Sequence, residues 1–135
     1  MTEMARRSWA GAAMVDVLAV LLFVVIGRAS HQHAETAGGI ASTAWPFAAG
    51  LGLGWGLLAA AGRLRGRSVS PSSLSSGAAV CVTTVAFGMA CRVVAGQGSA
   101  PAFVGVATGF LGALMLGGRV ALGAAGRRLA RAGRN

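Results

Sequence analysis

Residues 10–26 read AGAAMVDVLAVLLFVVI, an apolar run broken by one charged group, Asp16. A helix rises about 1.5 Å per residue and needs roughly 20 mostly apolar residues to cross the hydrocarbon layer of a bilayer. This run approaches that length, and no period-2 alternation marks it as a barrel strand. Three further runs share its character, at residues 44–61, 78–95 and 102–122. The expected architecture is all-α: a polytopic membrane protein of four transmembrane helices, forming a single integral membrane domain over residues 1–135. Residues 123–135 (GAAGRRLARAGRN) form a basic tail that is expected to fray. Arg6 and Arg7 ahead of the first run imitate a secretory signal. However, Asp16 interrupts the apolar region and Arg28 occupies the place of a cleavage site, so the helix is expected to be retained.

Composition supports this reading. Of 135 residues, 55% are hydrophobic and 22 are glycine, while 11% are charged. A soluble domain carries about 25% charged residues, and a disordered chain would be far less hydrophobic. The formal net charge is +9, with no lysine and no tyrosine. Cys81 and Cys91 fall in one apolar run, roughly 15 Å apart along a helix, too far to bridge each other.

The placement of the arginines orients the chain. Ten of the 12 (Arg6, Arg7, Arg63, Arg65, Arg67, Arg119, Arg127, Arg128, Arg131 and Arg134) fall at the ends of the chain or near the connection 62–77. Only Arg28 and Arg92 fall on the opposite side. The positive-inside rule then makes both termini cytoplasmic. The basic groups are expected to anchor on the anionic cytoplasmic leaflet of a prokaryotic plasma membrane. No aromatic residue interleaves with them to stack bases, so nucleic acid is not an expected partner. The connection 62–77 (GRLRGRSVSPSSLSSG) reads as a flexible Ser/Pro-rich linker. The connection 96–101 is so short that the third and fourth helices must form an antiparallel hairpin.

Small residues recur every fourth position. Ala48, Gly52, Gly56 and Ala60 line one face of the second helix, with Gly50 and Gly54 as a second pair. Gly105, Gly109, Ala113, Gly117 and Ala121 do the same in the fourth. Such faces let helix backbones approach closely, within the chain or between subunits. The ends LFVVIGR and AFGMACR of the first and third helices, and TAWPF and SAPAF opening the second and fourth, also suggest two parallel helical-hairpin repeats.

Asp16 is the most informative polar residue. A carboxylate at that depth costs on the order of 2–3 kcal/mol to insert and therefore needs an inward-facing partner. Thr83 and Thr84 on the third helix and Arg119 on the fourth are the candidates. The group is then either a proton- or cation-handling carboxylate or half of a buried Asp–Arg or Asp–Thr pair fixing helix register. At the outer face, Arg28, His31, His33, Glu35 and Arg92 gather. Two His and a carboxylate are chemically suitable metal ligands, but their spacing has no matching second pair. They read as solvated loop residues, and no metal or other cofactor is expected. No nucleophile–base arrangement or phosphate-binding glycine loop is present, so enzymatic activity is not expected.

The segments DVLAVLLFVVIGRASH (Asp16–His31), TAWPF (Thr43–Phe47) and FLGALMLGGR (Phe110–Arg119) together resemble the prokaryotic family of small membrane proteins known as domain of unknown function 3054. The resemblance covers roughly Asp16 to Arg119. It implies a small multi-pass membrane protein and points to Asp16, Arg28, His31, Trp45, Pro46 and Arg119, without assigning any of them a catalytic role. Two functions then compete. The first is an accessory or scaffolding subunit built on helix packing, as a homo-oligomer or with a partner membrane subunit. The second is a small oligomeric permease or channel in which Asp16 binds the proton or cation. The first needs fewer assumptions.

Overall fold

The computed structural model describes residues 3–30 and 36–134. They form four helices: α1 (Glu3–Ser30), α2 (Ala37–Arg65), α3 (Leu74–Val94) and α4 (Pro101–Ala132), with no strand among the described residues. Each helix is long and apolar enough to cross a membrane. The chain is a multi-pass membrane protein. The helices are arranged in a ring, α1 beside α2, α2 beside α3, α3 beside α4 and α4 beside α1, as an up-down-up-down bundle.

The helices outrun their apolar runs because hydropathy ends where the lipid ends, whereas hydrogen bonding continues until a residue stops it. At α2, Thr36 accepts a hydrogen bond from the Gly39 amide at 3.1 Å, a side-chain N-cap. The helix stops at Gly66, whose φ of 58° suits a residue without Cβ. Ser73 caps α3 through the Ser76 amide at 3.2 Å, and Pro101 opens α4, where its missing N–H costs nothing. The basic tail expected to fray is instead helical through Ala132. At 32 residues α4 is about 48 Å long, well beyond the ~30 Å hydrocarbon thickness. Its last turns, carrying Arg127, Arg128 and Arg131, are exposed.

The closest backbone approach joins α2 and α3. A Cβ built on Gly50 would sit 2.6 Å from the Thr84 carbonyl oxygen, and one on Gly54 would sit 3.2 Å from the Val80 Cα. Only glycine permits this separation. By contrast, Gly52, Gly56, Gly105, Gly109 and Gly117 have nothing within 4 Å of such a Cβ, and these glycines and Ala113 are exposed. Of the small-residue faces, the chain therefore uses the Gly50/Gly54 pair internally and leaves the other two pointing away from the bundle. Inside, Phe23 meets Phe47 edge-on at 5.2 Å between ring centroids and also touches Phe103 and Phe110.

Pro46 lies inside α2. Lacking an N–H, it leaves the Ser42 carbonyl without its helical donor. The Gln97 side-chain amide, from the α3–α4 connection, donates to that carbonyl at 3.0 Å. The carbonyl freed by Pro46 within the continuous helix is thus the docking point for a loop.

The connection between α2 and α3, expected to be a flexible linker, is folded against the bundle. Pro71 is buried, the Ser76 hydroxyl donates to the Ser70 carbonyl at 2.7 Å, and Ser72 pairs with Ser8 of α1 at 2.7 Å. Serine hydroxyls that read as solvated by composition are here satisfied by neighbouring backbone and side chains.

Candidate functional site

The buried residues of α1 are Ala12, Asp16, Ala19, Val20, Phe23 and Val24, a stripe at helical spacing that carries Asp16 inward with the core. On α4, Ala107, Leu111, Met115 and Arg119 recur every fourth residue and are likewise buried. The two stripes face each other, and the aspartate on one meets the arginine on the other.

The contact is a bidentate ion pair. Arg119 Nη1 donates to Asp16 Oδ1 at 2.6 Å and Nη2 to Oδ2 at 2.9 Å, with both side chains shielded from solvent. Trp55 Nε1 of α2 donates to Asp16 Oδ2 at 3.1 Å. Arg119 Nε reaches the Pro71 carbonyl at 3.0 Å, and Nη1 also reaches the Met115 carbonyl at 3.2 Å. A planar guanidinium fork matches a carboxylate in this way, whereas a lysine would offer only a point charge. Room for it comes from Gly77 of α3, where a Cβ would lie 2.6 Å from Arg119 Cδ. The pair therefore connects α1, α2, the α2–α3 connection and α4, and it presses on α3.

The structure selects between the partners expected for Asp16. Thr84 Oγ1 donates to the Val80 carbonyl at 2.7 Å and Thr83 Oγ1 to the Ala79 carbonyl at 2.8 Å, each within its own helix. Arg119 is the partner. Trp55, Pro71 and Gly77 belong to the same site, although no charge or motif marks them in the sequence. An indole ring one helix away is identified only once the register of α2 against α1 is known.

At the opposite end, Arg28 Nη1 donates to Thr43 Oγ1 at 3.2 Å. Arg92 is held by the turn after α3: Nε donates to the Gly98 carbonyl at 3.2 Å, Nη1 to Gln97 Oε1 at 3.0 Å and Nη2 to the Gln97 carbonyl at 3.3 Å. Gly96 and Gly98 take φ of 72° and 74° to make that turn. The guanidinium also lies 4.5 Å over the Phe103 ring. Arg92, Gln97 and Ser42 thus form one chain of contacts ending at the carbonyl that Pro46 frees. His31, His33 and Glu35 lie outside the described residues. Cys81 is buried, Cys91 is partly buried, and both are free thiols.

A family model described as "Protein of unknown function (DUF3054)" matches residues 13–122. No curated protein and no solved structure matches the chain.

Proposed function

The chain belongs to the family described as "Protein of unknown function (DUF3054)", and from that premise we propose that it is a non-enzymatic assembly subunit of a prokaryotic plasma membrane. In this reading both termini are cytoplasmic, and the Asp16–Arg119 pair acts as an internal clamp. The observation that carries the reading is that protein donors engage both oxygens of the carboxylate. Asp16 Oδ1 accepts one donor and Oδ2 accepts two, all from the protein. A proton- or cation-binding carboxylate must exchange its ligand. This one is instead neutralised by a cation that is itself anchored to the Pro71 and Met115 carbonyls.

The outward small-residue faces of α2 and α4 supply the assembly surface. Gly52 and Gly56 on one helix, and Gly105, Gly109, Ala113 and Gly117 on the other, face away from the bundle. There they would let a second copy or a partner membrane subunit approach closely. The exposed arginines of the last turns of α4 would rest on the anionic leaflet.

The competing permease reading is tested by reconstituting the full chain in liposomes carrying a pH-sensitive dye, with and without Asp16→Asn. The assembly reading expects wild-type proton flux no greater than that of empty liposomes. Wild-type flux that Asp16→Asn abolishes, while expression and oligomeric state stay intact, would overturn it in favour of transport.

A further inference from the structure

We infer that the end of the bundle carrying Arg28 and Arg92 is a binding cleft for the headgroup and upper acyl chain of an anionic phospholipid. This inference is independent of the assembly reading. The two arginines close α1 and α3, the helices that run in the same direction, and both line one cavity of about 350 Å3 together with Thr43 and Phe103. A second cavity, of about 600 Å3, adjoins it and shares Phe23, Gly27, Arg92 and Phe103. The second is apolar towards its flank, where Ile26 of α1 and Val106 and Phe110 of α4 line it. Ile26 and Val106 are exposed on the outer face of the bundle. The combined space is thus polar at the end of the bundle and apolar along the seam between α1 and α4.

That gradient matches the chemistry of a phospholipid. Guanidinium groups recognise phosphate oxygens through paired N–H donors, a geometry that does not depend on which leaflet presents the headgroup. Arg92 is held in place before any ligand arrives, since Gln97, Gly98 and the Phe103 face fix its fork. This lowers the ordering cost of binding. Below the guanidinium, the Phe23, Phe103 and Phe110 rings provide the wall along which an acyl chain would lie. Gly27 lines both cavities, and a Cβ built there meets nothing within 4 Å. A larger side chain at 27 therefore meets no obstacle to extending into the space that both cavities share.

The test uses native mass spectrometry of the detergent-purified full chain. The protein is incubated with equimolar phosphatidylglycerol and phosphatidylcholine of identical acyl chains, and then with millimolar inorganic phosphate. Wild type should retain phosphatidylglycerol in preference to phosphatidylcholine. Arg28→Gln and Arg92→Gln should each lower that retention about five- to tenfold, as the loss of one arginine near a charged headgroup predicts. Because Arg92→Gln also releases the turn after α3, Gly27→Leu provides a second measure: both charges stay, the cleft is blocked, and retention should fall comparably. Val82→Ala, on the exposed face of α3 and outside both cavities, should leave retention unchanged. Equal retention of the two lipids, or phosphatidylglycerol retention unaffected by Gly27→Leu, overturns the inference. Displacement of the lipid by millimolar inorganic phosphate also overturns it, because the site would then take a free anion.

Discussion

Three donors converge on Asp16, and they are not equivalent. Arg119 contributes charge and geometry, while Trp55 contributes one N–H to Oδ2, the oxygen that also faces Nη2. Burying a charge is tolerable only when its remaining lone pairs are also satisfied. Trp55→Phe removes the N–H and leaves a smaller aromatic ring in place of the indole that packs on Trp9 at 5.4 Å. A hydrogen bond to a charged group is worth about 1.5–3 kcal/mol. The substitution should therefore lower the thermal midpoint of the detergent-solubilised protein by several degrees without changing its helical content. An unchanged midpoint would mean that the indole is incidental to the pair. The ion pair itself was half legible in the sequence: an acid seven residues into an apolar run demands a partner, and Arg119, Thr83 and Thr84 were the side chains near its level. The choice among them turns on rotamers, since both threonines satisfy their hydroxyls on their own helix, and no spacing rule reveals that.

Each helix is visible in the sequence as an apolar run, but its ends are not. Hydropathy reports where lipid contact stops. N-caps at Thr36 and Ser73 and the left-handed Gly66 report where hydrogen bonding begins and stops, several residues outside the apolar runs. Glycine spacing is similarly ambiguous. Two interleaved four-residue series run along α2, and composition does not reveal which one faces a neighbour. In the structure Gly50 meets the α3 backbone while Gly52 meets open space. Gly50→Ala should therefore push α2 from α3 and destabilise the monomer, because the nearest atom to the new Cβ is backbone and cannot rotate away. Gly52→Ala should not lower the monomer's unfolding midpoint, because the new Cβ meets open space and alanine favours the helix. If the outward face is an assembly surface, larger residues at Gly52 and Gly56 should lower the oligomeric mass seen by light scattering. Equal effects of Gly50→Ala and Gly52→Ala on unfolding would refute this register. The Ser/Pro-rich connection misled for a related reason. Composition records that serines are polar, not that Ser8 meets Ser72 and that the Ser76 hydroxyl meets the Ser70 carbonyl.

On the scale of the whole molecule, the bundle has two polar ends with different logic. At one, Arg119 gathers α1, α2, α4 and the Pro71 segment around a neutralised charge. At the other, Arg92 and Gln97 fasten the α3–α4 turn onto the Ser42 carbonyl that Pro46 frees, and Arg28 and Arg92 share a cavity. In the assembly reading, the Asp16–Arg119 pair holds the helices together instead of carrying an ion through them. Removing one partner of a buried pair leaves an uncompensated charge and costs about 3–5 kcal/mol, whereas replacing both by apolar residues of similar volume is often neutral or stabilising. The decisive measurement is the unfolding midpoint of four proteins in the same detergent: wild type, Asp16→Leu, Arg119→Met and the double substitution. If the pair is a clamp, each single substitution lowers the midpoint sharply and the double recovers most of the loss. Single substitutions that leave the midpoint unchanged, or a double no more stable than the worse single, would contradict the claim.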